Sequence, residues 1–299
     1  MNRMWGLTLS AATAGLLGAA SLAQAADLPV RKSMPLEVAS APASMPFDLA
    51  FGARAMTDYN FRGISQTDHN PAVQAYVELQ AFDNFVYAGV SASNVDLVTT
   101  PTAEVDLTFG IRPKFGPLTF DLGLIYYYYP GERQYLDATG VALSPRQTDF
   151  AELAGKVSYN WEDTVVLGAN VFHAWDWLGT GADATYYSGT VRVNLAFAPG
   201  LYASGELGRY VIGTATDPGP AYNVPDYTYW NVGVGYTYKN FTLDLRYHDT
   251  DLDRGDCFLV TADPGGFTNG GRSNWCASAV VGSISVDFTA SSLGIFAPR

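Results

Sequence analysis

From Pro46 onward apolar and polar residues alternate with a period of two, the spacing by which a strand shows one face to each side. In 46–60, Phe47, Leu49, Phe51, Ala53 and Ala55 share one face, against Asp48, Ala50, Gly52, Arg54 and Asp58. In 103–113, Val105, Leu107, Phe109 and Ile111 oppose Glu104, Asp106, Thr108 and Arg112. Phe241, Leu243, Leu245 and Tyr247 oppose Thr242, Asp244, Arg246 and His248. Val280, Gly282, Ile284, Val286 and Phe288 oppose Val281, Ser283, Ser285 and Asp287. The pattern predicts about twelve strands, at 46–60, 71–82, 85–95, 103–113, 117–129, 148–160, 163–176, 184–197, 201–212, 226–239, 240–250 and 277–289.

The connections sharpen this picture. Asp83-Asn84, Lys114 to Gly116, Trp161-Glu162, Ala198 to Gly200 and Lys239-Asn240 read as tight turns. Longer polar loops lie around 61–70, 96–102, 130–147, 177–183, 213–225 and 251–276, and short and long alternate strictly. The expected fold is all-β: a transmembrane up-and-down antiparallel β-barrel with both termini on the short-turn, periplasmic side. A soluble sandwich also alternates, but its strands typically run about five or six residues. Many of these run to ten or more, which suits a tilted strand crossing hydrocarbon. Unpaired strand edges are not tolerated in lipid, so the sheet must close.

Aromatics gather at the strand ends. Phe82, Phe85, Phe115, Tyr159, Trp161, Phe197, Tyr202, Tyr238 and Phe241 flank the short turns. Tyr59, Phe61, Tyr126 to Tyr129, Trp175, Trp177, Tyr186, Tyr187, Tyr227 and Trp230 lie near the long loops. Both sets read as interfacial girdles.

Composition adds the compartment. Only 15% of residues are charged, against about a quarter in soluble domains. Arg3, the apolar run from Trp5 to Leu17 and the Ala23-Gln24-Ala25 site read as a signal peptide, 1–25, cut after Ala25. Residues 26–45, rich in Ala, Pro and Ser, read as a periplasmic tail; 46–290 is the barrel and 291–299 a C-terminal tail. Net charge is −12, and about −13 once Arg3 is removed, which argues against nucleic acid as a partner. The expected surroundings are outer-membrane lipid and lipopolysaccharide, reached through the barrel-assembly machinery; oligomeric state is not readable.

By parity Arg54, Arg112, Lys156, Arg192 and Arg246 point inward, with Glu78, Glu104, Asp106, Asp121, Glu152, Glu206 and Asp244. Such charges either set ion preference in a pore or pair across strands and fill a narrow barrel. Carboxylates outnumber bases, and Glu104, Asp106 and Asp121 on adjacent strands predict a cation preference. Arg209 falls on the lipid-facing side, which places it near the outer rim or beside a bulge. Phe61-Arg62-Gly63-Ile64 reads as a structural turn with Gly63 at a special backbone angle. Alternatively it anchors the first loop or lines the pore mouth.

Cys257 and Cys276, in the longest loop of an exported chain, predict a disulfide stabilising that loop by roughly 3 kcal/mol. A metal site with His248 and Asp251 is the alternative, but the spacing fits no zinc pattern. An enzyme would need a base and a nucleophile together. His69, His173 and His248 sit apart in sequence, and their neighbours Asp68 and Asp249 point the other way on a strand. No catalytic residue, cofactor or metal is expected.

Asp58-Tyr59-Asn60-Phe61-Arg62-Gly63-Ile64-Ser65-Gln66-Thr67, then Pro71-Ala72-Val73-Gln74, resembles the opening of the TorF family of proteobacterial porins. Tyr87-Ala88-Gly89-Val90-Ser91-Ala92-Ser93-Asn94-Val95-Asp96, Glu104-Val105-Asp106-Leu107, Phe120-Asp121-Leu122-Gly123 and Tyr127-Tyr128-Tyr129-Pro130-Gly131 are similar to the same family. The resemblance is dense from 50 to 160 and continues to about 289 as strand pattern. It implies an outer-membrane barrel without an established substrate and brings no catalytic residues. Such barrels commonly end on an aromatic residue; here Phe288 is followed by eleven more residues. The resulting expectation is passive diffusion of small hydrophilic solutes or ions, with a closed barrel acting through its outer loops as the rival.

Overall fold

The computed structural model describes residues 47–295. The signal peptide and tail read at 1–45, and the end of the C-terminal tail, lie outside these residues. Twelve long strands follow one another around the wall, each pairing antiparallel with its sequence neighbours. They are β1 (Phe47–Met56), β2 (Ala72–Ala81), β3 (Val86–Ser93), β4 (Glu104–Ile111), β5 (Leu118–Tyr128) and β6 (Phe150–Trp161). There follow β7 (Val165–Ala174), β8 (Ala184–Asn194), β9 (Leu201–Ile212), β10 (Tyr227–Tyr238), β11 (Phe241–Thr250) and β12 (Ala279–Thr289). β1 also pairs with β12, from Ala50↔Thr289 to Met56↔Ser283, so the sheet is a closed barrel. Closure leaves no edge with unpaired backbone groups.

The alternation seen in sequence becomes two surfaces. Leu107, Phe109, Leu122, Leu124, Leu153, Leu167, Leu207, Val232, Val234, Leu243 and Leu245 are exposed and form an apolar belt around the outside. Their neighbours along each strand face the inside of the barrel and are buried or half-buried. Proline shapes one wall. Pro113 lacks a backbone donor, and β4 stops at Ile111. The chain then resumes pairing at Lys114 and Phe115 against Thr119 and Leu118. The turn is therefore Gly116-Pro117, later than the Lys114 to Gly116 turn expected.

The aromatic girdles need correction. Tyr126, Tyr128, Trp175, Tyr187 and Trp230 face outward at the long-loop end. Tyr59, Tyr127, Tyr129, Trp177, Tyr186 and Tyr227 are buried inside, as is Tyr202 near the short turns. Period two sends every second aromatic into the lumen, so clustering in sequence does not make a ring in space. Two observations explain how tyrosines fit there. Tyr202 lies flat over Gly235, where a Cβ would sit 2.1 Å from its Cζ. Neighbouring rings also meet edge to face, as Tyr186 and Tyr210 do at 5.7 Å.

Among the long loops, 251–278 carries α1 (Arg254–Thr261) and the short α2 (Pro264–Thr268). Asp253 caps α1 by accepting from the amides of Gly255 and Asp256, an ordinary N-cap arrangement. Cys257 on α1 is bonded to Cys276. The bond ties the loop to itself, while the barrel is held by its ladders. The double change Cys257→Ser/Cys276→Ser should therefore leave heat-modifiable gel migration intact. Protease sensitivity within 251–278 should rise, since about 3 kcal/mol of loop restraint is removed. Loss of the heat-modifiable band would show that the loop holds the wall.

Candidate functional site

The first long loop does not stand away from the barrel; it folds into it. Asn60–Phe61 and Ile64–Ser65 form a two-step hairpin, with Arg62 and Gly63 both at positive φ at its tip. That turn suits glycine twice over. The φ of +89° is strained for other residues, and a Cβ on Gly63 would lie 2.2 Å from Thr250 Cγ2. The hairpin is anchored at its flanks, where Ser65 N donates to Trp275 O and Asp96 N donates to Gln66 O.

The tip carries Arg62 to the far wall. Its Nη1 and Nη2 donate to Glu152 Oε1 and Oε2 on β6 at 2.7 and 2.8 Å, a bidentate pair. Arg62 is 5% exposed and Glu152 not at all. Tyr127 Oη also donates to Glu152, at 3.0 Å. The guanidinium lies 4.5 to 4.9 Å from the ring centres of Phe61, Phe172, Tyr186 and Tyr210. An ion pair in an aromatic cage thus fills the lumen below the long loops. Tyr127, Phe150, Trp177, Tyr210, Tyr227 and Tyr229 pack into the same buried cluster.

Below this plug the surroundings change. Thr119, Lys156, Ser158, Asn170, Glu206, Thr237, Thr242 and Ser285 point inward by parity and are half-buried rather than buried. Other inward side chains on the same side, Gln80, Arg112, Asp121 and Arg192 among them, are buried.

The inward charges are organised in distinct sets. Arg112 donates to Glu78 at 2.7 and 2.9 Å and to Asp121 at 2.9 Å, and its guanidinium lies 3.6 Å from the Tyr87 ring centre. Arg246 donates to Asp244, Asn231 and Ser204. Glu104 accepts from the hydroxyls of Tyr59 and Tyr129, and Asp106 from Ser91. Lys156 Nζ lies 5.2 Å from the Phe172 ring centre, and Glu206 accepts from Tyr186 and Asn231. Arg54 and Arg192 lie on β1 and β8 and bond to Ser283 and Asn194. Glu104, Asp106 and Asp121 do not form one cluster. Glu104 and Asp106 begin β4 at the long-loop end, whereas Asp121 joins Arg112 beyond the other end of that strand.

Arg209 keeps its outward parity without a bulge. It lies at the rim, 3.1 Å from Thr228 Oγ1 and 3.5 Å from Asp251 Oδ2. His173 bonds Thr185 on the neighbouring strand, and buried His248 bonds the Tyr229 hydroxyl. With both cysteines in the disulfide, the alternative metal set is not assembled.

One triad of residue types does come together. Ser65 Oγ donates to Asp58 Oδ1 at 2.6 Å, and His69 Nδ1 lies 3.2 Å from Asp58 Oδ2. The other ring nitrogen, Nε2, faces the Asn274 carbonyl at 2.9 Å. A nucleophile–base pair would need Ser65 on the imidazole, and it is instead on the carboxylate. The arrangement is a brace between the first and last long loops. The sequence neighbour Asp68 bonds Trp275 Nε1 instead. The partner, Asp58, is eleven residues back, and only the loop's fold brings it in.

Both His69 nitrogens face acceptors, so the imidazolium is the favoured form. The Asp58 bond raises its pKa to about 9, against the opposing effect of burial. Burial disfavours the charged Asp58, but hydrogen bonds from His69, Ser65 and Thr67 outweigh this and hold its carboxyl below the ordinary value. His69 therefore contributes stability that is full below about pH 6.5 and lost as pH rises through 9. Asp58 contributes stability that is present above about pH 4 and lost as pH falls below its own lowered value. Imidazole NMR should give a midpoint near 9 for His69, falling toward 6.5 in Asp58→Asn. An unshifted midpoint in the native protein would remove the brace.

A bacterial family of unknown function, Gcw_chp, matches residues 40–278. The chain belongs to it. No curated protein matches this Gcw_chp sequence. Among solved structures it is similar to the KdgM porin, at 7% identity and a TM-score of 0.46, covering 80% of this chain and 98% of that one. It is similar to the NanC porin, at 14% identity and 0.45, covering 81% and 98%. It is also similar to the outer membrane protein OpdK of Pseudomonas aeruginosa, at 12% identity and 0.39, covering 83% and 68%. These are likenesses of barrel fold alone.

Proposed function

We propose that this barrel is an outer-membrane channel of the TorF porin type, passing small hydrophilic solutes or ions, with the first-loop hairpin as its plug. The observation that carries this reading is the contrast along the lumen. Inward polar side chains such as Lys156, Asn170 and Glu206 are half-buried, whereas the long-loop end is filled by the hairpin, whose tip is held to the far wall by the Arg62–Glu152 pair. A barrel serving only as a scaffold gains nothing from half-buried charges such as Lys156 and Glu206 along its axis. The exposed apolar belt supports a lipid surround. Continuous apolar patches of this kind on soluble proteins are rarely larger than a few hundred Å². Cytosolic placement would leave that belt in water, and the Cys257–Cys276 bond also suits an oxidising compartment.

The closed-barrel rival has a specific observation behind it, the buried Arg62–Glu152 pair. Planar-bilayer recording of the purified protein separates the two readings. A plugged channel should show rare, discrete openings in 1 M KCl. A barrel that stays silent, even after Glu152→Gln, is not a channel.

A further inference from the structure

Three inward arginines share one arc of the wall, and their pairing is incomplete. Arg246 on β11 is matched: Nε and Nη2 donate to Asp244 at 3.2 and 3.1 Å, Nη1 to Asn231 at 2.6 Å and Nη2 to Ser204 at 2.8 Å. Arg192 on β8 is not. It is 4% exposed, stacks 3.5 Å from the Tyr202 ring centre and donates through Nε to Asn194 at 3.1 Å. Its Nη2 has no hydrogen-bond partner among the described residues. Arg54 on β1 is half-buried and donates through Nη2 to Ser283 at 3.0 Å. Neither Arg54 nor Arg192 makes an ion pair among the described residues.

Register brings the three together. Arg192 pairs with Ser204, Ser204 with Gly233 and Gly233 with Arg246 across β8 to β11. Asp244 then pairs with Ser283, the residue Arg54 holds. Asp244 is the carboxylate that faces both Arg54 and Arg192, and it is already shared by Arg246 and the Tyr202 hydroxyl. The nearby carboxylates are turned elsewhere: Glu206 accepts from Tyr186 and Asn231, and Asp287 from Tyr76. A guanidinium has five donors in a fixed fork, suited to bidentate binding of an oxyanion. Leaving such donors buried and unmatched is costly unless a ligand takes them.

We propose that Arg54 and Arg192, beside the matched Arg246, form a binding station for the carboxylate or phosphate group of small anionic solutes. This deepens the channel reading and rests on it, since the station lies in the barrel lumen with Arg54 as its half-buried member. Tyr202 would act as the floor of the station: its ring supports Arg192, and its hydroxyl holds Asp244 away from the anion. Counting carboxylates in the sequence predicts a cation preference; the pairing points the other way. Glu78, Asp121, Glu152 and Asp244 are each bound to a base, and Glu104 is covered by two tyrosines under the plug.

Calorimetric titration of the refolded barrel in detergent, with sodium acetate and separately with sodium phosphate at matched ionic strength, tests the station without requiring conduction. Saturable binding of at least one anion is expected. Arg192→Gln should weaken it roughly tenfold or more, the expected loss for charged hydrogen bonds. Arg54→Gln should weaken it several-fold, and Arg209→Gln on the outer rim should leave it unchanged. Preference for acetate identifies a carboxylate station, and preference for phosphate a phosphate station. Absence of binding, or equal binding in folded Arg192→Gln and Arg54→Gln, overturns the proposal. Reversal potentials of the Glu152→Gln channel separate the two levels. Conduction without anion binding would remove the station and keep the channel. Anion binding in a barrel that never conducts would keep the station and remove the channel.

Discussion

Replacing Glu152 by glutamine is expected to raise channel open probability by a hundredfold or more in planar bilayers. The carboxamide keeps the size of the side chain but cannot match the Arg62 guanidinium with two charged bonds. Breaking a buried pair from one side leaves the other charge uncompensated, at a cost of about 3–5 kcal/mol. The cation–π contacts of Arg62 are present before and after the change, so they do not replace the lost pair. The loss falls on the weakest element that can relieve it. That element is the 57–71 loop, whose own ladder is two residues on each side. The β6 wall that carries Glu152 pairs with β5 and β7 along nearly its whole length. Each 1.4 kcal/mol is a factor of ten in population, so the plug should leave the lumen. Arg62→Gln/Glu152→Gln removes both charges and should open less than Glu152→Gln alone. A native protein with large steady conductance, unchanged in Glu152→Gln, would show that the hairpin does not block the path.

This plug was the least legible part of the chain. Strands announce themselves because a wall between two solvents forces period two on every one of them, and the twelve segments could be read from residue types alone. The Cys257–Cys276 pairing was equally direct, with two cysteines in one long loop. Arg62 gave no such signal. A loop has no period, and Phe61-Arg62-Gly63-Ile64 reads locally as a turn, which it also is. What makes it a plug is Glu152, ninety residues away on another strand. The same limit affected the inward charges. Parity orients a side chain, but register and strand tilt decide which charge it meets. Asp121 was therefore grouped with Glu104 and Asp106, when its partners are Arg112 and Tyr87. The interior tyrosines add a feature that composition hides: their hydroxyls bind lumen carboxylates, both those paired with an arginine, as Tyr127 does for Glu152, and Glu104, which Tyr59 and Tyr129 hold.

Arg112 shows the opposite consequence of losing a buried charge, because nothing around it can swing away. It sits between the end of β4 at Ile111 and Pro113, and it ties that point of the chain to Glu78 on β2 and Asp121 on β5. Both carboxylates are buried, with Tyr87 Oη donating to Asp121 at 2.6 Å and Gln80 Nε2 to Glu78 at 2.7 Å as neutral support. Arg112→Met keeps much of the side-chain volume and leaves two buried carboxylates without a cation. The cost, again about 3–5 kcal/mol, must appear in the stability of the wall itself. Urea unfolding followed by tryptophan fluorescence should show a lower midpoint with an unchanged slope, and conductance should stay near the native level. Arg112→Lys should recover only part of the loss, because one ammonium cannot reproduce a fork that reaches both Glu78 and Asp121. Arg112→Met/Glu78→Gln/Asp121→Asn should recover most of it, since no charge is then stranded. If Arg112→Met unfolds at the native midpoint, the trio does not hold the wall. If the triple variant is no better than Arg112→Met, the loss is one of packing rather than charge.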